Sequence, residues 1–211
     1  MNAPAAIAVS VRAADLGDAC EAGRIDAFVA EHEDGAIFHR PQWSRAVERG
    51  CGQKAHYLIA ERAGVLVGCL PLSAIRSRLF GTALVSTGFG TGGGILAESE
   101  QVTEALAVAA WELAQRLGCP SLELRGGPLP EGYEARGGVY SNFARALPAD
   151  AEALMRGLPR RQRAEVRRAD RFGLRVSTAS DAAHRAALTE STPKASTISA
   201  RRSFRAACSK R

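Results

Sequence analysis

His56-Tyr57-Leu58-Ile59-Ala60-Glu61-Arg62-Ala63-Gly64-Val65-Leu66-Val67-Gly68-Cys69-Leu70-Pro71-Leu72-Ser73-Ala74-Ile75 is two apolar runs joined by an Ala-Gly pair. Runs this short and this apolar predict strands at 56–62 and 65–75, folded back on each other as a hairpin. Upstream, alternation at 6–11 predicts a strand and 18–32 a helix. Phe38-His39-Arg40-Pro41-Gln42-Trp43 breaks that pattern and starts a short helix to about residue 49, with Pro41 in its first turn. Downstream, 83–87 and 94–97 read as strands linked by glycines. Residues 100–117 form the clearest helix, with Val102, Leu106, Ala109, Leu113 and Leu117 on one face. Gly118 suits the position after its end and Pro120 prevents continuation. Strands are expected again at 121–125, with Leu122 and Leu124 on one face, and at 140–147. Asp150 can cap a short helix ending near Gly157, and a second helix runs from Pro159 to Gly173 into a strand at 174–177. Helices alternating with strands that come in pairs imply an α/β class with a mixed sheet and flanking helices, and not a purely parallel, doubly wound sheet.

Composition sets the outer limits. With 211 residues and 46% hydrophobic residues, the chain can bury a core. No run reaches the roughly 18 apolar residues of a membrane span, and the start lacks a secretory signal pattern, so the cytoplasm is the expected location. Cys20, Cys51, Cys69, Cys119 and Cys208 form no pair or His-containing cluster with metal-ligand spacing, so reduced core thiols and no metal are expected. The net charge of +6 is unevenly spread. Residues 156–175 carry +6 and residues 189–211 carry +5, which leaves the remainder at −5. A mildly acidic domain with two basic segments is therefore expected.

Three segments bear on chemistry. Gly88-Phe89-Gly90-Thr91-Gly92-Gly93 matches GxGxxG, but Gly94-Ile95-Leu96-Ala97 follows as a strand, so a flexible turn is expected and not a dinucleotide site. Arg78, Gly81 and Ala83 fit the R-x-x-G-x-A pattern of an acyl-CoA pyrophosphate loop, again with a strand-like continuation. In the 159–173 helix, Arg160, Arg163, Arg167 and Arg171 share one face at spacings of three, four and four. Four guanidinium groups there suit a phosphate or carboxylate ligand, against the alternatives of a solvated surface or arginines bonded to a partner domain. Nucleic acid ranks lower, because neither exposed aromatics nor a recognisable motif accompany the arginines. His32, His39, His56 and His184 accompany no nucleophile elbow, and the residues do not single out a catalytic base.

The segments Phe38–Trp43, His56–Arg62, Gly68-Cys69-Leu70-Pro71-Leu72, Ser77-Arg78-Leu79-Phe80-Gly81, Gly93-Gly94-Ile95, Leu122-Glu123-Leu124-Arg125 and 158–168 together resemble the FemAB-like family associated with XrtA/PEP-CTERM sorting. The resemblance covers about residues 36–180. It implies a GNAT-like fold present as the first of two tandem halves, occupying residues 1–180, with 181–211 beginning the second. It implies transfer of an acyl or aminoacyl group to a small-molecule or lipid- or nucleotide-linked envelope or exopolysaccharide precursor. The donor would be acyl-CoA or aminoacyl-tRNA, bound mainly by the second half, so this chain would hold no cofactor and be inactive alone. Arg160, Arg163 and Arg167 match the family's basic, phosphate-holding helix. The alternatives are a free-standing acyl-CoA-dependent N-acetyltransferase and a non-enzymatic module binding anions or RNA.

From about Thr189 the chain loses periodicity and reads as a disordered basic tail. Back-translation with one base restored after codon 188 yields a string with helical apolar spacing that resembles the family's continuation. The expectation is a shifted reading frame. Resequencing the locus checks it, and an intact frame through Arg211 with no family-like sequence downstream is the opposing result.

Overall fold

A computed structural model of the chain describes residues 8–77, 81–138, 143, 145–173, 178, 181–184 and 186–187. The chain divides into two compact units, Met1–Tyr140 and Ser141–Arg211.

The first unit is a mixed sheet with flanking helices. Strands β1 (Val9–Ala13), β2 (Lys54–Arg62), β3 (Val65–Ser77) and β4 (Gly81–Ser86) are successive antiparallel neighbours. Strand β5 (Leu96–Ala97) pairs antiparallel with β3, and β6 (Leu122–Glu123) pairs parallel with β4. The hairpin at the heart of the sheet turns at Ala63 (φ 51°) and Gly64 (φ 78°). Both central residues are left-handed, as a type I′ turn requires. Pro71 lies fully buried in β3, at the gap between the residues that pair with β5 and those that pair with β4. A residue without an N–H costs least at such a gap.

Helices α1 (Ala19–Glu31), α2 (Pro41–Cys51) and α3 (Glu100–Arg116) flank the sheet. Asp18 caps α1 by accepting from the Cys20 N–H at 2.8 Å, and Pro41 opens α2 at the position where its missing N–H costs nothing. Glu61 on β2 pairs with Arg12 of β1 and Arg24 of α1, tying the sheet edge to that helix. The core lies between the sheet and α3, where Val102, Leu106, Ala110 and Ala114 are fully buried with Leu70, Leu72 and Leu84. The face differs from the expected one: Ala109, Leu113 and Leu117 are only half-buried at its border. Small alanines take the deepest positions because they let the helix approach the sheet closely, which ranking by side-chain size overlooks.

Helix α3 ends in a Schellman pair. The Gly118 N–H donates to Gln115 O (3.0 Å) and the Cys119 N–H to Ala114 O (2.9 Å), with Gly118 at φ 68°. Gly118→Ala is expected to cost about 1 kcal/mol. A urea midpoint unchanged by this substitution would contradict the left-handed end of α3.

Several boundaries and environments depart from expectation. The first strand runs Val9–Ala13, two residues past the expected end at 11, with residues 6–7 outside the described residues, and the expected strand at 121–125 shrinks to Leu122–Glu123. Cys69 and Cys119 are buried, but Cys20 and Cys51 are exposed, so the core-thiol reading fails for two of these four; Cys208 lies outside the described residues. In the second unit, α4 (Ala151–Arg156) is capped by Asp150, whose Oδ1 accepts from the Ala153 N–H at 2.6 Å, and α5 (Arg160–Asp170) follows. Neither helix has a buried residue. Of the strand expected at 140–147, residues 143 and 145–147 are in no strand, and the rest lies outside the described residues. The expected strand at 174–177 and the tail from 188 also lie outside them. Among the described residues, no helix is long and apolar enough to cross a membrane.

Candidate functional site

β4 and β6 are the parallel strands of the sheet, joined by a crossover through α3, and they pair only at Leu84–Leu122 and Val85–Glu123. Past that point hydroxyl groups replace the ladder. The Arg125 N–H donates to Ser86 Oγ (2.8 Å) and the Gly88 N–H to Ser73 Oγ (3.2 Å). Both serines are buried, which holds the two chain exits in fixed places as they diverge. The space that opens at these carboxyl ends is a cleft of about 810 Å³. Ligands of α/β sheets bind in such crevices outside the carboxyl ends of parallel strands, and the volume is within the range of small-molecule sites.

The cleft is floored by two glycine segments, 92–94 and 126–127. A Cβ on Gly94 would stand 1.8 Å from Gly126 O, and one on Gly93 (φ 98°) 2.1 Å from Thr87 Oγ1. Gly94 and Gly127 are therefore required by close packing of two backbones and Gly93 by Thr87, and the expected flexible turn is instead a wedged one. Thr87 (φ 53°) and Phe89 (φ 61°) are left-handed non-glycine residues of the same loop. Such strain persists only where surroundings over-determine it. Here Thr87 Oγ1 donates to Gly93 O (3.0 Å) and Arg125 Nη1 to Gly90 O (3.0 Å). Among the described residues, the amides of Gly92, Gly93 and Gly94 have no hydrogen-bond acceptor in the chain.

Phe38-His39-Arg40-Pro41-Gln42-Trp43 is the scaffold under this loop. Phe38 and Trp43 meet edge to face at 4.9 Å, and Trp43 Nε1 donates to Gly88 O at 3.3 Å. His39 is buried at the cleft wall; its Nδ1 accepts from the Ala36 N–H at 3.1 Å, and its ring also bonds the Gly94 backbone. With Nδ1 engaged by the Ala36 N–H, His39 ties the 36–39 turn to the cleft wall. Tyr57 Oη donates to His39 O at 2.5 Å. Burial raises the Tyr57 phenol and pushes the Cys69 thiol up to about 12, so neither ionises as a nucleophile near neutral pH.

Burial lowers the His39 imidazole below its ordinary 6.5, and His56 likewise. The unfolded chain then takes up protons near pH 6.5 while the folded chain stays neutral. Their contribution to stability is complete above that pH and is lost as the pH falls below it. Thermal midpoints are expected to drop between about pH 7 and about pH 5, with a shallower slope in His39→Gln. Parallel slopes for the two proteins would exclude His39 as a source.

Electrostatically the cleft is acidic. Asp34, Glu98, Glu100 and Glu104 line it, and among the described residues the one Lys or Arg of its wall, Arg125, is already engaged by Glu123 Oε1 at 2.7 Å and by Gly90 O.

The residues singled out from sequence lie elsewhere. Gly81 and Ala83 open β4, and Arg78 lies outside the described residues. Strand, and no helix start, follows Gly81. In the second unit, Arg163 and Arg167 line a groove of about 440 Å³ between α4 and α5, together with Arg156, which sequence reasoning had not placed with them. Arg160 stands at the start of α5 and Arg171 just past its end, both exposed and neither lining that groove. Ser73, Ser86 and Thr87 had no local signal as site residues, and Arg125 had one only through the Leu122–Arg125 motif. His39 carried one only through the motif it belongs to.

No family model matches the chain, and neither does any curated protein. Solved structures similar to it include a ribosomal-protein-alanine N-acetyltransferase from Brucella melitensis biovar Abortus 2308, at 20% identity and TM-score 0.45, covering 66% of this chain and 99% of that one. A GNAT family acetyltransferase from Staphylococcus aureus matches at 13% identity and TM-score 0.40, over 66% of this chain and 98% of its own. A glucosamine-6-phosphate N-acetyltransferase from Arabidopsis thaliana matches at 12% identity and TM-score 0.41, over 64% and 98%.

Proposed function

We propose that the chain is the acceptor-binding part of a FemAB-like, GNAT-type acyltransferase and that its first unit holds an amine-bearing envelope precursor in the glycine-floored cleft. The observation that carries this reading is the parting of parallel β4 and β6 into a fixed cleft whose rim is acidic. Four carboxylates against one engaged guanidinium favour an ammonium group over a polyphosphate by simple Coulomb attraction, and they would hold an amine close to where an acyl group must arrive. No side chain in the cleft is assigned as catalytic base. A second reading, a free-standing acyl-CoA-dependent N-acetyltransferase, is favoured by the glycine loop itself. That loop lies between β4 and α3, and its uncommitted amides suit an anionic donor group.

Calorimetry separates the two. Gly92 is the useful position, because a Cβ there meets nothing nearer than Phe38 at 3.6 Å and the residue lines the cleft. Binding of an amine-bearing nucleotide-linked muramyl peptide, weakened about tenfold by Gly92→Leu, is the expected result. Tight acetyl-CoA binding that the same substitution abolishes, with no binding of the precursor, would establish the second reading instead.

A further inference from the structure

Helix α5 has two opposite faces, and sequence reasoning considered only one. Arg160, Arg163, Arg167 and Arg171 mark the basic face. Gln162, Val166, Ala169 and, in the turn just past the helix, Phe172, at spacings of four, three and three, mark the other, whose apolar members are Val166, Ala169 and Phe172 and whose border toward Arg161 and Arg168 carries Glu165. Arg161 and Arg168 flank that second face, and Arg168 pairs with Glu165 at 3.7 Å. In an ordinary globular helix the apolar face would be covered. Here Val166 is 41% exposed and Phe172 66%, and no residue of α5 is buried. Phe143 and Leu147 of the same unit are exposed as well.

We propose that α5 docks the protein onto an anionic lipid surface. A helix with a strongly cationic face and an exposed apolar one lies in the plane of a bilayer interface, its apolar side chains among the acyl chain ends and its arginines at headgroup phosphates. Charge complementarity selects this occupant: residues 156–175 hold eight arginines against Glu165 and Asp170. Arg161 and Arg168, at the border of the apolar face, can extend to the headgroups while their stems stay in apolar contact. RNA would use the arginines and could stack a base on Phe172, but it would leave the aliphatic Val166 and Ala169 uncovered, and the helix offers no Tyr or Trp beside Phe172. Free phosphate would likewise leave that face uncovered. The contact is peripheral, since no described helix can span a bilayer.

The test is co-sedimentation of the full chain with vesicles of phosphatidylglycerol and phosphatidylcholine, against phosphatidylcholine alone. Partitioning at least about tenfold stronger onto the anionic vesicles is expected, falling steeply with salt. Phe172→Ser and the double change Arg161→Glu with Arg168→Glu should each weaken it about tenfold, and inorganic phosphate should not displace the protein. These residues are exposed, so unfolding midpoints serve as the control for intact structure. Equal partitioning onto both vesicle types, or none, would overturn the proposal. So would salt-sensitive binding of poly(U) that is tighter than binding to the anionic vesicles, whether or not Phe172→Ser weakens it, an outcome that assigns the helix to nucleic acid.

Discussion

Gly94→Ala is expected to lower stability by about 2–3 kcal/mol and to abolish ligand binding in the cleft. The added Cβ would stand 1.8 Å from Gly126 O and 2.6 Å from Gly126 C. Both are main-chain atoms, so no rotamer change relieves the overlap and one of the two glycine segments has to move. Ser86, Thr87 and Arg125 hold those segments in place, and moving either one gives up a hydrogen bond of 2.8–3.0 Å at the cleft floor. Gly92→Ala is the matched control, expected within about 0.5 kcal/mol of the parent because its Cβ meets only Phe38 at ordinary contact distance. Denaturant midpoints at constant slope measure both. A Gly94→Ala protein as stable as the control would mean that the two segments are not wedged together.

The second large effect is Leu106→Ala, expected to cost about 3 kcal/mol and to lower the thermal midpoint by on the order of 10 °C. Leu106 is fully buried at the centre of α3, with Val102 and Ala110 on the same face and Leu70, Leu72 and Leu84 of the sheet in the same core. Deleting its side chain leaves a cavity that strands tied by ladder bonds cannot close. Val108, two residues on, is 58% exposed and its replacement by alanine should be close to neutral. If the two substitutions cost the same, α3 does not present the Val102–Leu106–Ala110–Ala114 face to the sheet.

The chain of elements was largely legible because each rests on local rules. Two short apolar runs and the Ala-Gly joint marked the β2–β3 hairpin, Pro41 marked the start of α2, and Gly118 with Pro120 marked the end of α3. The face of α3 was less legible, since apolar spacing cannot tell which of two adjacent stripes goes deepest; Ala107, Ala110 and Ala114 are placed in the core only by their packing with the strand residues. The cleft was the least legible part. The glycine run at 88–94 was visible as a turn, yet its partner at 126–127 lies more than 30 residues away, and only their contact explains why both are glycine. A serine in the middle of a strand, as at Ser73 and Ser86, looks like any other until a neighbouring backbone N–H is found with no ladder partner.

By itself the sequence determined a mixed α/β sheet with flanking helices and the arginine-dense segment at 156–175, because propensity, periodicity and charge act over a few residues. Only the tertiary structure decided that parallel β4 and β6 part after two residue pairs, that two distant glycine segments floor the gap, and that acidic side chains rim it. Those are relations between chain segments far apart in sequence, set by how backbones close on one another, and no local pattern encodes them.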